Sequence, residues 1–310
     1  PLTSHHLHHH SNRYEPAPPP PSPIGPAREH VLYSWQRTTR KGDQRPVLIF
    51  AQYDDETSDT VRADVLELLK IYRRYFFVVA VAATPSLLGH PRSLSALRRV
   101  SDAVIIRRNE GYDYGSWMTG LRAFKELILA RGQLLLSNDS FWGPVRPIKQ
   151  LLERLESSTA DVVGLTDNLM YEPHLQSPFL LFRRNVIQNS MFWDFWDNIE
   201  RWDTKRTIVK RYEVGLPVCL RQQGLTLESV YSNQSNGNIF HAEWRSLITN
   251  QGFPFIKVSL LRDNPHKVDI EDWQSVVSEH NPWLTKQITK QLRSRRPTAS
   301  NLPDQEVKLT

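Results

Sequence analysis

Residues 103–144 decide the fold, and they read AVIIRRNEGYDYGSWMTGLRAFKELILARGQLLLSNDSFWGP. The short β-branched run at 103–106 is typical of a buried strand. Apolar side chains then recur at helical spacing over 116–130, and Gly132 ends that pattern as a helix C-cap does. The leucines at 134–136 form the next apolar run. This stretch therefore predicts a strand, a helix and a second strand.

Two polar turns follow these predicted strands at their carboxyl ends. The first contains Asn109, Gly111 and Asp113, whose spacing interrupts regular structure. The second is the run Asn138-Asp139-Ser140, directly after the second strand. Open α/β sheets bind ligands at the carboxyl ends of their strands. Both turns are therefore predicted to face a ligand.

The rest of the chain continues the alternation of strands and helices. Continuous apolar runs predict central strands, and apolar faces at helical spacing predict the helices between them. The order up to residue 106 predicts the first half of a doubly wound sheet. Further strands are predicted at 47–51, 76–82, 161–166, 179–182 and 225–231, and further helices at 61–72, 147–155, 191–202 and 207–223, with a loop and a short helix at 87–100.

Three blocks of the sequence also resemble a known family. They are residues 109–115 (NEGYDYG), 137–144 (SNDSFWGP) and 174–179 (HLQSPF). In this order they resemble the rhamnan-synthesis F family of rhamnosyltransferases, and the resemblance runs over residues 47–265. It implies an α/β fold of the glycosyltransferase A type, in which a doubly wound, mostly parallel sheet is flanked by helices.

The same resemblance implies an enzyme, a hexosyltransferase. It would move L-rhamnose from dTDP-β-L-rhamnose, with inversion, onto a growing cell-surface polysaccharide or a lipid-linked glycan. The residues themselves also allow a non-catalytic module on the same fold that binds a nucleotide sugar or a glycan. Slow hydrolysis of dTDP-rhamnose without an acceptor distinguishes the enzyme from such a module. The sequence contains no P-loop, Gly-x-Ser-x-Gly, His-Glu-x-x-His or paired-cysteine motif that would support a rival chemistry.

The donor-binding side chains implied by the resemblance fall on the turns and on a closing segment. Tyr53 and Asp54, after the strand at 47–51, would contact the nucleotide base, although a loop with helix-capping acids explains them equally well. Lys257 and Arg262 would neutralise the diphosphate, since arginine and lysine both bind phosphate. The donor set is Tyr53, Asp54, Asn109, Gly111, Asp113, Asn138, Asp139, Lys257 and Arg262.

Asp139 is the candidate metal ligand. Its turn resembles the Asp-x-Asp element of glycosyltransferases, but Asn138 stands where the first acid is expected. Mg²⁺ often takes only one or two carboxylates besides phosphate oxygens. The resemblance therefore implies Mg²⁺ or Mn²⁺ at Asp139, and it implies no organic cofactor.

Loss of a proton from the acceptor hydroxyl needs a carboxylate or a histidine. Glu213 is the first candidate, because an acidic residue that opens a helix ending at Gly224 resembles the catalytic-base position of inverting family 2 glycosyltransferases. His174 and Asp167 are the next catalytic candidates, and His174 and Gln176 are predicted to contact the acceptor. Two structural readings stay open beside these roles: a glutamate favoured by a helix dipole, and a histidine packed in the core.

Composition divides the chain into three parts. Residues 1–30 are rich in proline and histidine and are predicted to form a disordered tail. Residues 31–290 are predicted to form a single glycosyltransferase A-like domain, with a donor half at 46–145 and an acceptor half at 146–265. Residues 291–310 are predicted to be a disordered basic tail.

Charge and cysteine content bear on partners and location. The net charge of +6, with pairs such as Arg73-Arg74 and Arg98-Arg99, suits an anionic ligand or an anionic membrane surface. Nucleic acid is not predicted, because the sequence has no aromatic-basic RNP-like motif. Cys219 is the single cysteine, and no apolar run approaches transmembrane length. We therefore expect a cytoplasmic protein that makes peripheral contact with the inner face of the membrane.

Overall fold

The computed structural model describes residues 23–54, 58–168, 174–176, 179–202, 204–231 and 237–294, apart from the side chains of His174 and Val209. Most of the strands in these ranges belong to one central sheet. The strands are β1 (Gly25–Pro26), β2 (Val31–Gln36), β3 (Val47–Gln52), β4 (Phe77–Ala82), β5 (Ala103–Arg107), β6 (Gln133–Asn138), β7 (Phe141–Trp142), β8 (Val162–Asn168), β9 (His174–Leu175), β10 (Phe179–Arg183), β11 (Glu200–Arg201), β12 (Leu227–Tyr231) and β13 (Ile256–Lys257).

The central sheet runs in the order β12-β8-β10-β6-β3-β4-β5-β2, and β9 pairs with β8 beside this path. β3 is parallel to β4 and β6, β4 is parallel to β5, and β8 is parallel to β12. β10 is antiparallel to both β6 and β8, and β2 is antiparallel to β5 at the edge. Because two antiparallel steps restore the direction, β8 points the same way as β6. The carboxyl ends of β3, β4, β5, β6 and β8 therefore share one edge of the sheet.

Helices follow most of these strands and cover the sheet. None of the helices in the described part of the chain is both long and apolar enough to cross a lipid bilayer. The helices are α1 (Ala63–Tyr72), α2 (Pro91–Val100), α3 (Tyr112–Arg131), α4 (Lys149–Ser157), α5 (Arg184–Ile187), α6 (Ser190–Asp197), α7 (Lys205–Ile208), α8 (Gly215–Gln222), α9 (Ile239–Ala242), α10 (Trp244–Gln251), α11 (Val258–Arg262), α12 (Trp273–His280) and α13 (Pro282–Ser294).

Successive residues of the buried strands point to opposite faces of the sheet, so the sheet has a core on each side. On one face Ile49 packs with Trp117 of α3 and with aromatic side chains of α6. On the other face Phe50 packs with Tyr72 of α1 and with leucines of α4. Burying each such side chain stabilises the fold by about 1.5–3 kcal/mol. Helix α3 lies so close to the sheet that a Cβ at Gly120 would stand 2.6 Å from Ile49 Cγ2.

A third cluster joins the carboxy-terminal helices to the segment after β6. Trp142 packs there with side chains of α10, α12 and α13. Its indole N–H donates to Gln291 Oε1 of α13 at 2.8 Å, and Gln291 Nε2 donates to Asp64 Oδ1 of α1 at 3.0 Å. Asp64 is only 1% exposed. The last helix is therefore tied by hydrogen bonds to the interior of the protein.

The predicted α/β fold, with a mostly parallel sheet flanked by helices, is confirmed. β2 is not predicted by the sequence, because its side chains are largely exposed and its apolar pattern is weak. The helix predicted at 207–223 is wrong as one element: it consists of α7, a π-helical segment Val209–Glu213, and α8. Pro217 explains the break, because it lacks the N–H that a continuous helix would bond to the carbonyl of Glu213.

Both predicted tail boundaries are also wrong. Gly25–Pro26 pairs with Glu200–Arg201, and Ala27 is buried at 5% exposure, although 1–30 was expected to be disordered. Strand pairing and apolar burial hold this segment on the domain. Helix α13 continues to Ser294, beyond the expected end at residue 290, because Gln291 is hydrogen bonded to the core. The division into a donor half and an acceptor half stays a prediction.

Candidate functional site

A hollow of about 280 Å³ opens at the carboxyl ends of β3, β4, β5 and β6. Two residues of the predicted donor set, Gly111 and Asn138, do not line it but adjoin it: Gly111 precedes α3, and Asn138 ends β6. The other members of the set line the hollow: Tyr53, Asp54, Asn109, Asp113, Asp139, Lys257 and Arg262. The fold therefore brings together side chains from opposite ends of the sequence at the edge where a ligand was predicted.

Asn138 organises the turn after β6. Its Nδ2 donates to Asp113 Oδ2 at 2.8 Å, which ties the turn to the start of α3. Its Oδ1 accepts from the backbone N–H of Ser140 at 3.1 Å and from the Ser140 hydroxyl at 2.7 Å. Ser140 Oγ accepts in turn from Lys257 Nζ at 3.0 Å. An amide suits this position because it both donates and accepts, whereas an aspartate here would face the Asp113 carboxylate with a like charge.

Asp139 is held by the backbone of the neighbouring strand end. Its Oδ2 accepts from the backbone N–H of Tyr53 at 2.9 Å, and its own carbonyl accepts from Arg62 Nη1 at 3.0 Å. Burial raises the pKa of Asp139 to about 7 despite the positive charge of Arg62, and the negative charge of Asp113 acts in the same direction as burial. Burial also raises the pKa of Asp113. A cation arriving in the hollow would stabilise both carboxylates.

The backbone of the turn after β5 adopts left-handed conformations at two successive residues. Gly111 has φ 79° and Tyr112 has φ 54°, which is uncommon for a residue with a side chain. A Cβ at Gly115 would stand 2.0 Å from the carbonyl oxygen of Glu110, so the turn packs against the helix only with glycine there. Arg107, fully buried, donates to the same carbonyl at 2.8 Å. Strained residues of this kind cluster at functional sites, and Tyr112 lines the hollow with 43% of its surface exposed.

The basic side chains of the hollow are Arg62, Lys205, Lys257 and Arg262. Burial lowers the pKa of Lys257 to about 8, and the positive charge of Lys205 acts in the same direction. Arg262 is turned toward its neighbour, with Nη2 at 2.6 Å from Asp263 Oδ2. An anion in the hollow would therefore stabilise the charge of Lys257 most directly.

Glu213 acts on the same lysine without lining the hollow. It ends the π-helical segment Val209–Glu213, and its negative charge raises the pKa of Lys257. π-Helical turns occur frequently at functional sites. The expectation that Glu213 opens a helix is wrong, because α8 begins at Gly215 after a separate turn. Its role as a base stays a prediction.

Asp167 lies level with Asp139, two strands away. Leu180 of β10 pairs with Leu136 of β6 on one side and with Gly164 of β8 on the other, and Asp139 and Asp167 each come three residues further along. With neighbouring strands about 4.8 Å apart, the two backbones are separated by roughly 10 Å. Asp167 therefore extends the same edge of the sheet beyond the hollow.

The predicted acceptor residues stand at that extension. His174 pairs with Asn168 across β8 and β9, and its side chain lies outside the described residues. Gln176 is buried, and its backbone N–H donates to the carbonyl of Thr166 at 2.9 Å. These positions flank the hollow on the side of β8. Their contact with an acceptor stays a prediction.

Several side chains that line the hollow are not predicted by the sequence. Arg62 and Lys205 carry no local signal, because only the tertiary fold brings them to the hollow. Tyr112 lies inside the block at 109–115 and could have been found from it. Ser259 also lines the hollow, and its Oγ is 3.0 Å from His241 Nε2. Burial lowers the pKa of His241 to about 4, so this imidazole is neutral at physiological pH.

The donor atoms available to a metal ion are few. Within the residues that the structure describes, no group of three or more His, Cys, Asp and Glu side chains is arranged to hold a metal. Asp113 and Asp139 form a pair whose charges disfavour each other. Two carboxylates suffice for Mg²⁺ only when a bound substrate supplies phosphate oxygens.

The sequence matches one known protein family over most of its length. The sequence profile of the family described as Rhamnan synthesis protein F matches residues 86–301, which is more than two thirds of the 310-residue chain. The chain belongs to this family. For this Rhamnan synthesis protein F family member, the match includes both polar turns, Lys205, Glu213 and Lys257.

The individual relatives of this Rhamnan synthesis protein F family member have low sequence identity to it and are matched over part of their length. The uncharacterized protein y4gN of Sinorhizobium fredii is 29% identical over 158 residues, covering 50% of this chain and 41% of that protein. The virulence protein VirA of Vibrio anguillarum is 29% identical over 209 residues, covering 55% of this chain and 66% of that protein. The chain thus spans less than two thirds of either relative. A cytidylyltransferase from Leptospira borgpetersenii aligns with a TM-score of 0.35 and 10% identity, over 77% of this chain and 97% of that one.

Proposed function

We propose that this Rhamnan synthesis protein F family member is an inverting glycosyltransferase that takes L-rhamnose from dTDP-β-L-rhamnose. The observation that carries the proposal is the hollow, in which carboxylates, cations and aromatic side chains meet at the carboxyl ends of neighbouring strands. Family membership supports the transfer of a sugar in polysaccharide synthesis. The rhamnosyl donor and a glycan or lipid-linked glycan acceptor are the finer parts of the proposal.

The donor lies across the hollow with its base at Tyr53 and its diphosphate at Lys257. Tyr53 is 38% exposed and lines the hollow, so we propose that its ring contacts the base. Lys257 and Lys205 face the diphosphate and neutralise the charge that develops as it leaves. Arg262 adds to this charge when it exchanges Asp263 for phosphate. The Lys257 to Ser140 hydrogen bond of 3.0 Å keeps the ammonium group beside the Asn138 turn.

A divalent cation fits beside Asp139 and Asp113 when the donor is bound. Both carboxyl groups have raised pKa values, so a positive charge next to them is favourable. The cation supplies charge neutralisation at the diphosphate. Its binding should depend on the nucleotide, because phosphate oxygens must complete the ligand set. Titration of Mn²⁺ with and without dTDP tests this: tight binding of Mn²⁺ alone, or no effect of the metal on dTDP affinity, would contradict it.

Transfer is a single displacement in which the acceptor oxygen forms a bond to C1 of the sugar while the bond from C1 to the diphosphate oxygen breaks. The proton of the acceptor hydroxyl passes to a base, for which we propose Glu213. Its electrostatic effect on Lys257 supports a position beside the donor hollow. Asp167, on the same edge of the sheet, is the second candidate for the base.

Binding of the donor is tested by thermal shift with a panel of nucleotide sugars, since a ligand that binds the native state raises its stability. We expect dTDP-rhamnose to stabilise the protein and UDP- or GDP-hexoses to do so less. Lys257→Met should weaken the shift, whereas Lys286→Met, on the exposed face of α13, is the matched control. Donor affinity should also fall as the pH rises through about 8, because Lys257 then loses its charge.

Hydrolysis of dTDP-rhamnose without an acceptor separates the enzyme from a binding module on the same fold. Slow release of dTDP is expected from the wild-type protein. A thermal shift without any hydrolysis, even with acceptor glycans present, would favour the binding module. A shift with another nucleotide sugar but not with dTDP-rhamnose would overturn the donor assignment.

A further inference from the structure

A second and larger hollow, which we call the basic basin, lies at the opposite edge of the sheet. Its volume is about 560 Å³, and it is lined by the loop at 37–43, by the ends of α1 and α2, and by Phe77, the first residue of β4. The loop connects β2 to β3, so the basin stands at the amino ends of the parallel strands. It shares no lining residue with the hollow at their carboxyl ends.

The basic basin holds the excess charge of the protein. Eight arginine and lysine side chains line it against two carboxylates, Asp43 and Asp102, which gives a net charge of +6. The net charge of the whole chain is also +6. The rest of the protein is therefore neutral on balance, and its positive excess is concentrated in one place.

Both carboxylates of the basin are already used to hold the fold. Arg45 Nη1 donates to the carbonyl of Arg73 at 2.6 Å and to that of Phe76 at 2.9 Å, and its Nη2 donates to Asp43 Oδ2 at 2.6 Å. Arg73 Nε donates to Asp102 Oδ1 at 2.9 Å. Arg45 and Arg73 therefore have a structural role. They occupy both carboxylates of the basin, so its other cations have no carboxylate there with which to form an ion pair.

Several of the remaining cations are exposed and have no ion pair within the described chain. Helix dipoles favour cations at helix ends, which accounts for basic residues on α1 and α2 but not for those in the loop. Arg37, in the loop, is held in place by stacking on Trp35 and by donating to the carbonyl of Arg98 at 2.9 Å. The exposed cations without an ion pair are Arg40, Lys41, Arg74 and Arg99.

We propose that the basic basin is the surface by which this protein docks on the phosphate groups of an anionic membrane. Exposed basic side chains on one face bind the headgroups of anionic lipids. Tyr75 follows Arg74 on the same edge with 39% of its surface exposed, and tyrosine is favoured at membrane interfaces. Single-stranded nucleic acid fits less well, because it needs exposed aromatic rings within the basic groove for stacking, and Tyr75 does not line the basin. Phe77, which lines the basin, is only 1% exposed, and Trp35 lies between two arginines.

Flotation of the full chain with phosphatidylcholine vesicles, with and without phosphatidylglycerol, tests the proposal. We expect binding only to the anionic vesicles at about 0.1 M NaCl, and its loss at about 0.5 M, because salt screens these charges. The test variant is Arg40→Glu with Arg74→Glu. Its partition should fall by about 25-fold or more, since each basic side chain contributes about five-fold. Lys286→Glu with Lys290→Glu, on exposed positions of α13, makes the same change in net charge and should have a small effect.

Three measurements keep the result interpretable. The urea midpoint of the test variant should match that of the wild type, since neither arginine has an ion pair in the described chain. Its thermal shift with dTDP-rhamnose should also be unchanged, because the donor hollow lies at the other edge of the sheet; docking thus stands or falls separately from the proposed function. Pyrophosphate, a soluble probe, should release the protein from vesicles no better than NaCl of equal ionic strength.

Four outcomes of the vesicle and pyrophosphate experiments would overturn the docking surface. They are equal loss of binding by both pairs of variants, undiminished binding by the test variant, equal binding to neutral vesicles, and saturable binding of pyrophosphate that the test variant lacks. The last outcome would make the basin a site for a small phosphate ligand. Tighter binding of a DNA duplex than of anionic vesicles, lost in the test variant, would likewise replace the membrane by nucleic acid.

Discussion

Replacing Asp139 by asparagine should make the protein more stable at alkaline pH while it abolishes function. Asparagine keeps an oxygen that can accept from the Tyr53 N–H, now at 2.9 Å, but it removes a charge that the hollow disfavours. Burial raises the pKa of Asp139 to about 7 from the ordinary value of 3.8. In the unfolded chain the carboxyl ionises near its ordinary pKa, so the folded and unfolded states bind different numbers of protons between these two values.

The sign follows from this difference in bound protons. Between pH 3.8 and about 7 the folded state retains a proton that the unfolded state has lost, so the free energy of unfolding falls as the pH rises and is lowest above about 7. The full difference between the folded and unfolded pKa values of Asp139 corresponds to about 4 kcal/mol of unfolding free energy. The part of it between pH 5 and pH 7 corresponds to about 2.7 kcal/mol. Because Asp139 is half-buried and water screens its charge, we expect about 1–2 kcal/mol.

Urea unfolding in EDTA, followed by tryptophan fluorescence at pH 5.0 and pH 8.5, measures this effect. The stability of Asp139→Asn relative to the wild type should increase by about 1–2 kcal/mol from the lower to the higher pH. Asp194→Asn removes an exposed carboxylate from α6 and is the matched control. An Asp139→Asn difference that is the same at both pH values, or that shrinks at pH 8.5, would refute the reasoning. A carboxylate that lowers the free energy of unfolding of the ligand-free protein is expected to have a role in function.

Three further predictions concern the base, the first turn and the last helix. Glu213→Gln should lower the turnover of dTDP-rhamnose by about 100-fold to 10,000-fold. The thermal shift with the donor should not change at a pH well below 8, where Lys257 stays charged; turnover within a few-fold of the wild type would move the base elsewhere. Gly111→Ala should lower the free energy of unfolding by about 1–2 kcal/mol because φ is positive there, and Gly89→Ala, with open space around it, should change it by less than about 0.5 kcal/mol. Gln291→Ala removes a hydrogen-bond donor from buried Asp64 and should cost about 1–3 kcal/mol in urea unfolding, so an unchanged midpoint would contradict this role.

The positions of the polar turns could be predicted because strands and turns are local features. The apolar run at 103–106 and the leucines at 134–136 are buried strands, and their neighbours Asn109 and Asp139 line the hollow. Gly111 lies in the first of these polar turns and has a φ of 79°, which suits a glycine. In each case a few adjacent residues carry the whole signal.

Other parts of the site depend on contacts that no short stretch encodes. Arg62 reaches the carbonyl of Asp139 only because α1 begins beside the end of β6. Lys205 comes to the hollow from a helix far along the chain, and nothing in its neighbourhood marks it. The break in the helix after Glu213 could have been predicted from the sequence, because Pro217 stands where a continuous helix would need an N–H. The apolar periodicity of 207–223 nevertheless predicts one continuous helix, and a single proline changes that pattern little.

The basic basin and the donor hollow lie at opposite ends of the same strands, so the length of those strands determines the distance between them. β3 is 6 residues long, so at about 3.3 Å per residue the basic basin and the donor hollow are separated by about 20 Å. A protein docked on a membrane by the basic basin would hold its donor sugar at least that far above the lipid phosphates. A glycan anchored in the same membrane must then extend across this gap before its end can be lengthened. The length of the central strands would thereby fix the shortest acceptor that the protein elongates.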